Sequence, residues 1–502
     1  MISETLQRAR DFETQYAAYI PEADRPAFHV TGAVGWINDP NGFSCYQGEY
    51  HLFYQYHPYT TNWGPMHWGH VKTRDFIRWE RLPAAMAPDT EADRDGCFSG
   101  SALELPDGRQ MLVYTGVYKT RRADGQIEEF QQQCVAFGDG VNYEKYPGNP
   151  ILDGSDLPEG GSVLDFRDPK VWQNPDGSFS MVAGNRTPDG SGAIRLFESR
   201  DGTRWTYAGT LDQSHNEYGR MWECPDFFPL DGQQVLLVSP QEMTAAGLEF
   251  HAGFGSIALL GSYDPAARKF ERERVQSIDY GTDFYAPQTL ESYDGRRIMI
   301  AWMQNWATCG CQPQDCRWFG QMTLPRELSL RNGRLIQNPV RELEAYRGHK
   351  ISYKDLLVTS ETTLSGVSGR LMDLTVTVRP VNGRASYQAF RLHLAKDGRR
   401  ETLIRYKVSN STLRLDRTHS GFPYDIVNVR DFPVRPRDGE IKLRIIMDRY
   451  SLEVFVNDGE QAATMVIYTP LSADAVSFEV VEGAAYIDVE QYSLNFGQED
   501  EA

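Results

Sequence analysis

A chain of 502 residues exceeds the size at which a single hydrophobic core stops growing, about 250–300 residues, so at least two domains are expected. Its formal charge of −18 excludes a nucleic-acid binder, which needs clustered Lys and Arg, and serves mainly solubility. Twelve percent aromatic content with 44 Gly and 27 Pro, spread over short segments rich in Tyr, Trp, Phe, Val and Ile, predicts an all-β chain.

The first 24 residues read as a helical extension with acidic residues and no apolar leader core. The longest apolar runs, such as IMIAWM at 298–303, are too short to span a bilayer, so no membrane is expected and the chain reads as cytoplasmic. Seven Cys fit reduced thiols better than a disulfide framework. Cys309, Cys311 and Cys316 cluster, but no second Cys or His pair completes a zinc set, so they read as loop thiols.

From residue 25 a period emerges. Asp75, Asp139 and Asp201 are each followed four positions later by an aromatic residue, and Asp264 leads to Phe270; the intervals between these Asp residues are 64, 62 and 63. A second set, WINDPNG around Asp39, FSGS at Ser99, FRDPK at Asp168, ECPD at Glu223 and DFYAPQ at Asp283, keeps nearly the same beat. Strand-like runs such as YHLFYQY and MLVYTGVY fill the gaps, which predicts four strands per unit and a five-bladed β-propeller over residues 25–337. Corresponding strands of a propeller lie at one radius, so Asp39, Asp168 and Glu223 are expected to converge. Taken singly, Asp-Pro and Asn-Gly pairs more commonly mark turns.

Residues 338–349 read as a linker with a short polar helix opened by Asn338 and Pro339. From 350 to 502, runs such as LMDLTVTVRP, IKLRIIMD and LEVFVNDG alternate with period two, and Asn457-Asp458-Gly459 is a hairpin turn, predicting a C-terminal β-sandwich. This half is expected to pack on the first or to shape substrate access; a homo-oligomer through it stays open.

Acids from separate blades, with Trp36, Trp63, Trp68, Phe98, Trp222 and Tyr285 nearby in sequence, point to a sugar site, where rings cover apolar sugar faces and carboxylates bind hydroxyls. Glycoside cleavage needs one protonated and one ionised carboxyl group. Asn38 and turn amides are expected to keep Asp39 ionised, whereas Met221-Trp222 and Cys224-Pro225 give Glu223 an apolar setting that raises its pKa. Arg167 is placed to pair with either carboxylate.

WINDPNG, QYHP at 55–58, WGH at 68–70, FSGS, FRDPK, ECPD, DFYAPQ and PREL at 325–328 together resemble glycoside hydrolase family 32, which contains invertases, sucrose-6-phosphate hydrolases, inulinases and levanases. The resemblance runs through LEVFVNDG and implies a propeller plus sandwich. It makes Asp39 the nucleophile, Asp168 the transition-state stabiliser and Glu223 the acid/base. Asn38, Gln55, Trp63, Phe98, Ser99 and Arg167 match positions lining a fructose subsite, and Tyr285 is a further substrate-binding candidate. It implies a small carbohydrate substrate and a retaining β-fructofuranosidase that needs no metal or cofactor, because the carboxyl groups supply nucleophile and proton.

His57, His67 and His70 read as ordering the pocket or core rather than as metal ligands. Lys119, Arg121 and Arg122 form a basic cluster that either binds the phosphate of a phosphorylated disaccharide or is a solvated turn. Trp302 and Trp306 either contact an aglycone or pack the fifth blade. Rival readings are a sucrose-6-phosphate hydrolase, a fructan hydrolase or fructosyltransferase, an inverting pentosidase and a sugar-binding propeller without catalysis.

Overall fold

Ser3 caps a helix over Glu4–Ala17, its hydroxyl accepting from the Leu6 amide at 3.1 Å. The helix docks on the strand Glu80–Met86: Arg10 donates to the Ala84 carbonyl (2.9 Å) and the Ala84 amide to Glu13 (2.8 Å). The computed structural model describes residues 2–310, 316–383, 386–422 and 426–497.

Five antiparallel sheets of four strands follow one another along the chain. Each opens with one strand: Gly35–Tyr46, Gly96–Glu104, Phe166–Gln173, Met221–Leu230 and Tyr285–Glu291. Each of these packs against the next, and the fifth against the first, so they line the centre of a closed ring, the arrangement of a β-propeller. A two-residue strand, Trp318–Phe319, joins the first sheet by parallel pairing, Gly35 with Trp318 and Trp36 with Phe319.

The Asp period has a local cause. Asp75, Asp139, Asp201 and Asp264 each accept through Oδ1 from the amides two and three residues on, closing a turn between the third and fourth strands of their sheets. The fifth sheet turns instead at Asn332-Gly333, both with positive φ.

The second set of landmarks marks something else. WINDPNG is not a turn: it lies inside a twelve-residue strand, and one extra residue bulges there between the Ile37–Tyr56 and Pro40–Tyr54 pairs. The same one-residue bulge recurs between Phe98 and Gly100, Arg167 and Lys170, Glu223 and Asp226, and Tyr285 and Gln288. Four of the five carry Pro, which lacks a ladder donor and is tolerated in a sheet at bulges and edges. Asp168, Cys224 and Ala286, each preceding such a Pro, take left-handed φ of 63°, 49° and 53°.

Residues 338–349 hold no α-helix. The strand Arg334–Pro339 runs into a 3-10 helix, Arg341–Tyr346, and Arg347–Val358 is already a strand. Glu327 accepts from the Arg341 amide and guanidinium at 3.0 Å each, which holds the chain in the tighter turn. A six-stranded and a five-stranded sheet then enclose an apolar core that includes Leu374, Leu392, Leu415, Leu443 and Phe478.

Between the two halves lies a buried ionic network. Arg326 of PREL donates to Glu453 of LEVFVNDG (2.6 Å) and to Asp279 (3.0 Å); Glu453 also meets His29 Nε2 (3.1 Å), and Asp448 meets His29 Nδ1 (2.7 Å). Arg417 pairs with Asp283 of DFYAPQ. Burial alone would lower the His29 pKa, but the two carboxylates raise it to about 9, so the ring is an imidazolium. Removing one member of such a network leaves the others charged, desolvated and unpaired. Glu453→Ala is therefore expected to lose about 3–5 kcal/mol in urea unfolding, whereas Glu490→Ala, in an exposed pair with Lys350, moves the midpoint by under ~1 kcal/mol.

Candidate active site

At the bulges the side chains of Asp39, Ser99, Asp168 and Glu223 come together in one cluster. Trp36 Nε1 donates to Asn38 Oδ1 (2.8 Å), and Asn38 Nδ2 donates to Asp39 Oδ1 (3.1 Å), so the Trp in the motif fixes the amide that fixes the acid. Ser99 Oγ donates to Asp39 Oδ2 at 2.8 Å. Cys224 sits between two of the acids, its Sγ 3.6 Å from Asp39 Oδ2 and 3.6 Å from Asp168 Oδ2, while its amide donates to Asp168 Oδ2 (2.9 Å). The Asp168 amide donates to Thr115 Oγ1 (2.9 Å). Glu223 accepts from Arg167 Nε at 3.0 Å and from the Tyr285 hydroxyl at 2.6 Å. Arg167 also reaches Asp165 and Gln131, each at 3.2 Å.

The structure corrects two expectations, one about charge at Asp39 and one about the surroundings of Glu223. Asn38 does donate to Asp39, but burial and the nearby charge of Glu223 outweigh it, and the Asp39 carboxyl is held above its ordinary range. Nor is the Glu223 carboxyl surrounded by apolar groups. Alternation along the strand sends Trp222 into the core between sheets, where its Nε1 donates to the Tyr218 carbonyl, and turns Glu223 to Arg167 and Tyr285. Burial, then the charge of Glu223, push Asp168 up to about 7 despite Arg167. The Asp168 carboxyl thus keeps a proton within the cluster up to near neutral pH.

The remaining candidates fall around this centre. Gln55 is buried and donates to the Cys97 carbonyl (2.9 Å), beside the bulge of the second sheet. Phe98 and Trp63 meet edge to face with centroids 6.0 Å apart, and Trp63 is 43% exposed at the rim. His57 and His67 both address the Pro65 carbonyl, at 3.3 and 3.1 Å, and so brace the loop that carries Trp63. His70 bonds His51 (2.9 Å) in the core of the first sheet. Trp302 and Trp306 pack with Phe319 around Trp36. Of the cysteine cluster, Cys309 Sγ donates to the Trp306 carbonyl (3.5 Å), Cys316 is a free thiol and Cys311 lies outside the described residues.

Sequence reasoning missed Thr115, Gln131, Asp165 and Cys224. The first three lie outside the repeated motifs, whereas Cys224 sat inside ECPD and carried a signal: a bulge turns two successive residues toward the centre. Asp283, a landmark of the fifth unit, lies outside this cluster and binds the sandwich through Arg417. A cavity of about 730 Å³ opens further along the inner strands around Lys170 and Asp226 and includes none of the three acids.

Residues 29–339 match the glycosyl hydrolases family 32 N-terminal domain, and residues 342–494 match the family 32 C-terminal domain. The chain is 38% identical to a sucrose-6-phosphate hydrolase of Zymomonas mobilis subsp. mobilis, covering 92% of this chain and 90% of the relative. It is 37% identical to a raffinose invertase of Escherichia coli, covering 92% and 93%. Among solved structures, a mutant of the Bombyx mori GH32 beta-fructofuranosidase in complex with sucrose superposes with a TM-score of 0.84 at 31% identity, over 98% of this chain and 99% of that one. Two domain matches spanning nearly the whole sequence, on a propeller and sandwich of the same architecture, make the chain a member of glycosyl hydrolase family 32 and a glycoside hydrolase.

Proposed function

We propose that the enzyme is a retaining β-fructofuranosidase that releases the terminal non-reducing β-D-fructofuranosyl unit of sucrose and short fructo-oligosaccharides. The observation that carries this reading is the meeting of Asp39, Asp168 and Glu223, from three different sheets, around Cys224 and Arg167. Relatives named for sucrose-6-phosphate hydrolysis and raffinose inversion, and a relative holding sucrose, support the substrate class.

In this reading Asp39 attacks the anomeric carbon of the fructosyl unit, and Glu223 gives its proton to the departing oxygen. A fructosyl ester on Asp39 results. Glu223, now a base, takes a proton from water, which opens the ester with net retention. Asp168 binds ring hydroxyls most tightly as the sugar flattens toward an oxocarbenium ion, which stabilises the transition state over the ground state. Ser99 and Asn38 hold the two oxygens of Asp39, and Tyr285 and Arg167 hold Glu223. Asn38, Gln55, Phe98, Ser99 and Arg167 frame the fructosyl unit, with Trp63 above it. The reaction belongs to the ring, residues 25–337, with the sandwich of residues 350–502 as its buttress. Cys45, Cys97, Cys134, Cys224 and Cys316 are free thiols, which supports a reducing, cytoplasmic setting.

Asp39→Asn is expected to cut kcat by about 10⁴-fold while sucrose still binds; fructose release by the variant at wild-type rate overturns the assignment. Because Asp39 must be ionised to attack and its carboxyl is held above the usual range, kcat/KM is expected to fall on acidification through a value above about 4. A pH profile flat down to about pH 4 contradicts it.

Asp168 supplies a stability prediction. Between its ordinary value of 3.8 and about 7, the folded chain retains a proton that the unfolded chain has released, so folding stability is lost as pH rises through that window. Asp168→Asn removes the burden and is expected to raise the unfolding free energy by ~2 kcal/mol at about pH 8, with the gain fading toward pH 4. Thermal melts against pH read this directly, and kcat falls about 10²-fold or more in the same variant.

A further inference from the structure

We propose that the Lys119–Glu129 ion pair, seated against Trp63, is the element that selects the leaving group, and that it selects a neutral hexosyl unit over a phosphorylated one. This rests on the fructofuranosidase reading above and names its substrate more closely.

The long hairpin Gln110–Arg121 and Ile127–Gly138 carries these residues. Lys119 and Glu129 are directly opposed across it, with Nζ 3.2 Å from Oε2, and Lys119 Nζ lies 5.9 Å from the Trp63 ring centre. Glu129 Oε1 accepts from Gln131 Nε2 (3.3 Å), Gln131 Oε1 accepts from Arg167 Nη1 (3.2 Å), and Arg167 Nε donates to Glu223 (3.0 Å). A continuous polar chain therefore runs from the rim to the acid that protonates the departing oxygen. The sugar attached to that oxygen must lie beside Glu223, and this chain with Trp63 forms a wall there.

The wall's charges decide what it accepts. A phosphate ester carries close to two negative charges at neutral pH and calls for cations not already neutralised. Lys119 is paired with Glu129, Arg122 with Glu128 (3.0 Å) and Asp124 (3.7 Å), and Arg167 with Glu223 and Asp165. The basic run YKTRRADG is thus largely answered by acids of its own hairpin, Glu129 among them, and presents little net positive charge to a phosphate. An aromatic face beside a paired ammonium and carboxylate suits an uncharged hexose, whose apolar face covers Trp63 and whose hydroxyls reach both ions.

The test uses the full chain and initial rates on sucrose and on sucrose 6-phosphate. The wild type is expected to favour sucrose in kcat/KM by about tenfold or more. Glu129→Gln should shift the ratio toward the phosphorylated sugar by about fivefold, and Lys119→Met away from it, both mainly through KM. Opposite shifts from two halves of one pair distinguish selection from a general loss of structure. A wild type that prefers the phosphorylated sugar overturns the proposal, and loss of that preference in Arg121→Ala would give the reading role to the outer cation. So does a ratio that stays within about twofold in both Glu129→Gln and Lys119→Met. Failure to release fructose from either sugar instead overturns the fructofuranosidase reading, and this one with it.

Discussion

Carboxyl groups repel one another most strongly where water is scarce, and this molecule gathers Asp39, Asp168 and Glu223 in such a place. Asp39 and Asp168 are 8% and 5% exposed and reach the same Cys224 thiol. No single contact compensates them. Asp39 is held by the Ser99 hydroxyl and the Asn38 amide, Asp168 by the backbone amide of Cys224, and Glu223 by a guanidinium and a phenol. The arrangement persists because each donor is fixed by a sheet that shares apolar cores with its neighbours, so relaxing one acid would require moving a blade. The repulsion that lowers stability also keeps a proton within the site near neutrality, which is the chemical use of the strain.

The bulge is the device that makes the gathering possible. A regular inner strand would present alternate residues to the centre, and in Arg167-Asp168 or Glu223-Cys224 only one of each pair would face it. One extra residue lets both contribute. Arg167 and Asp168 then address different partners on the next sheet, Glu223 and Cys224. Left-handed φ at Asp168, Cys224 and Ala286 is the backbone distortion that goes with it, a pattern typical of functional positions.

Much of this was legible in the sequence because a propeller writes its geometry as a period. The Asp residues at 75, 139, 201 and 264 recur since each closes the same turn, and the Pro-containing motifs recur since each fills the same bulge. Spacing therefore gave both the sheets and the acids that converge. Ionisation was not legible, because it depends on partners from neighbouring sheets: Arg167 and Glu223 are 56 positions apart, and local neighbours such as Trp222 face the other way. The rim was equally hidden. Glu129 and Gln131 belong to a hairpin longer than its blade requires, and nothing periodic marks them. The short polar helix expected in the linker is present, but as a 3-10 helix over Arg341–Tyr346 that begins after the strand Arg334–Pro339, because the salt bridge from Arg341 back to Glu327 tightens it.

Asp283 keeps the beat of the inner motifs yet turns away to meet Arg417, and Arg326 and His29, both from the ring half, find their counter-ions in Glu453 and Asp448 of the sandwich. Ion pairs of both polarities thus cross the seam, His29 and Asp283 meeting partners from the sandwich while Arg326 is shared between Glu453 and the ring's own Asp279. A propeller cut away at the 3-10 turn would expose charges of both signs that a dry seam now pairs, so the reactive ring is not a cassette that could be moved onto another scaffold: its seam is completed by the β-sheets encoded after it.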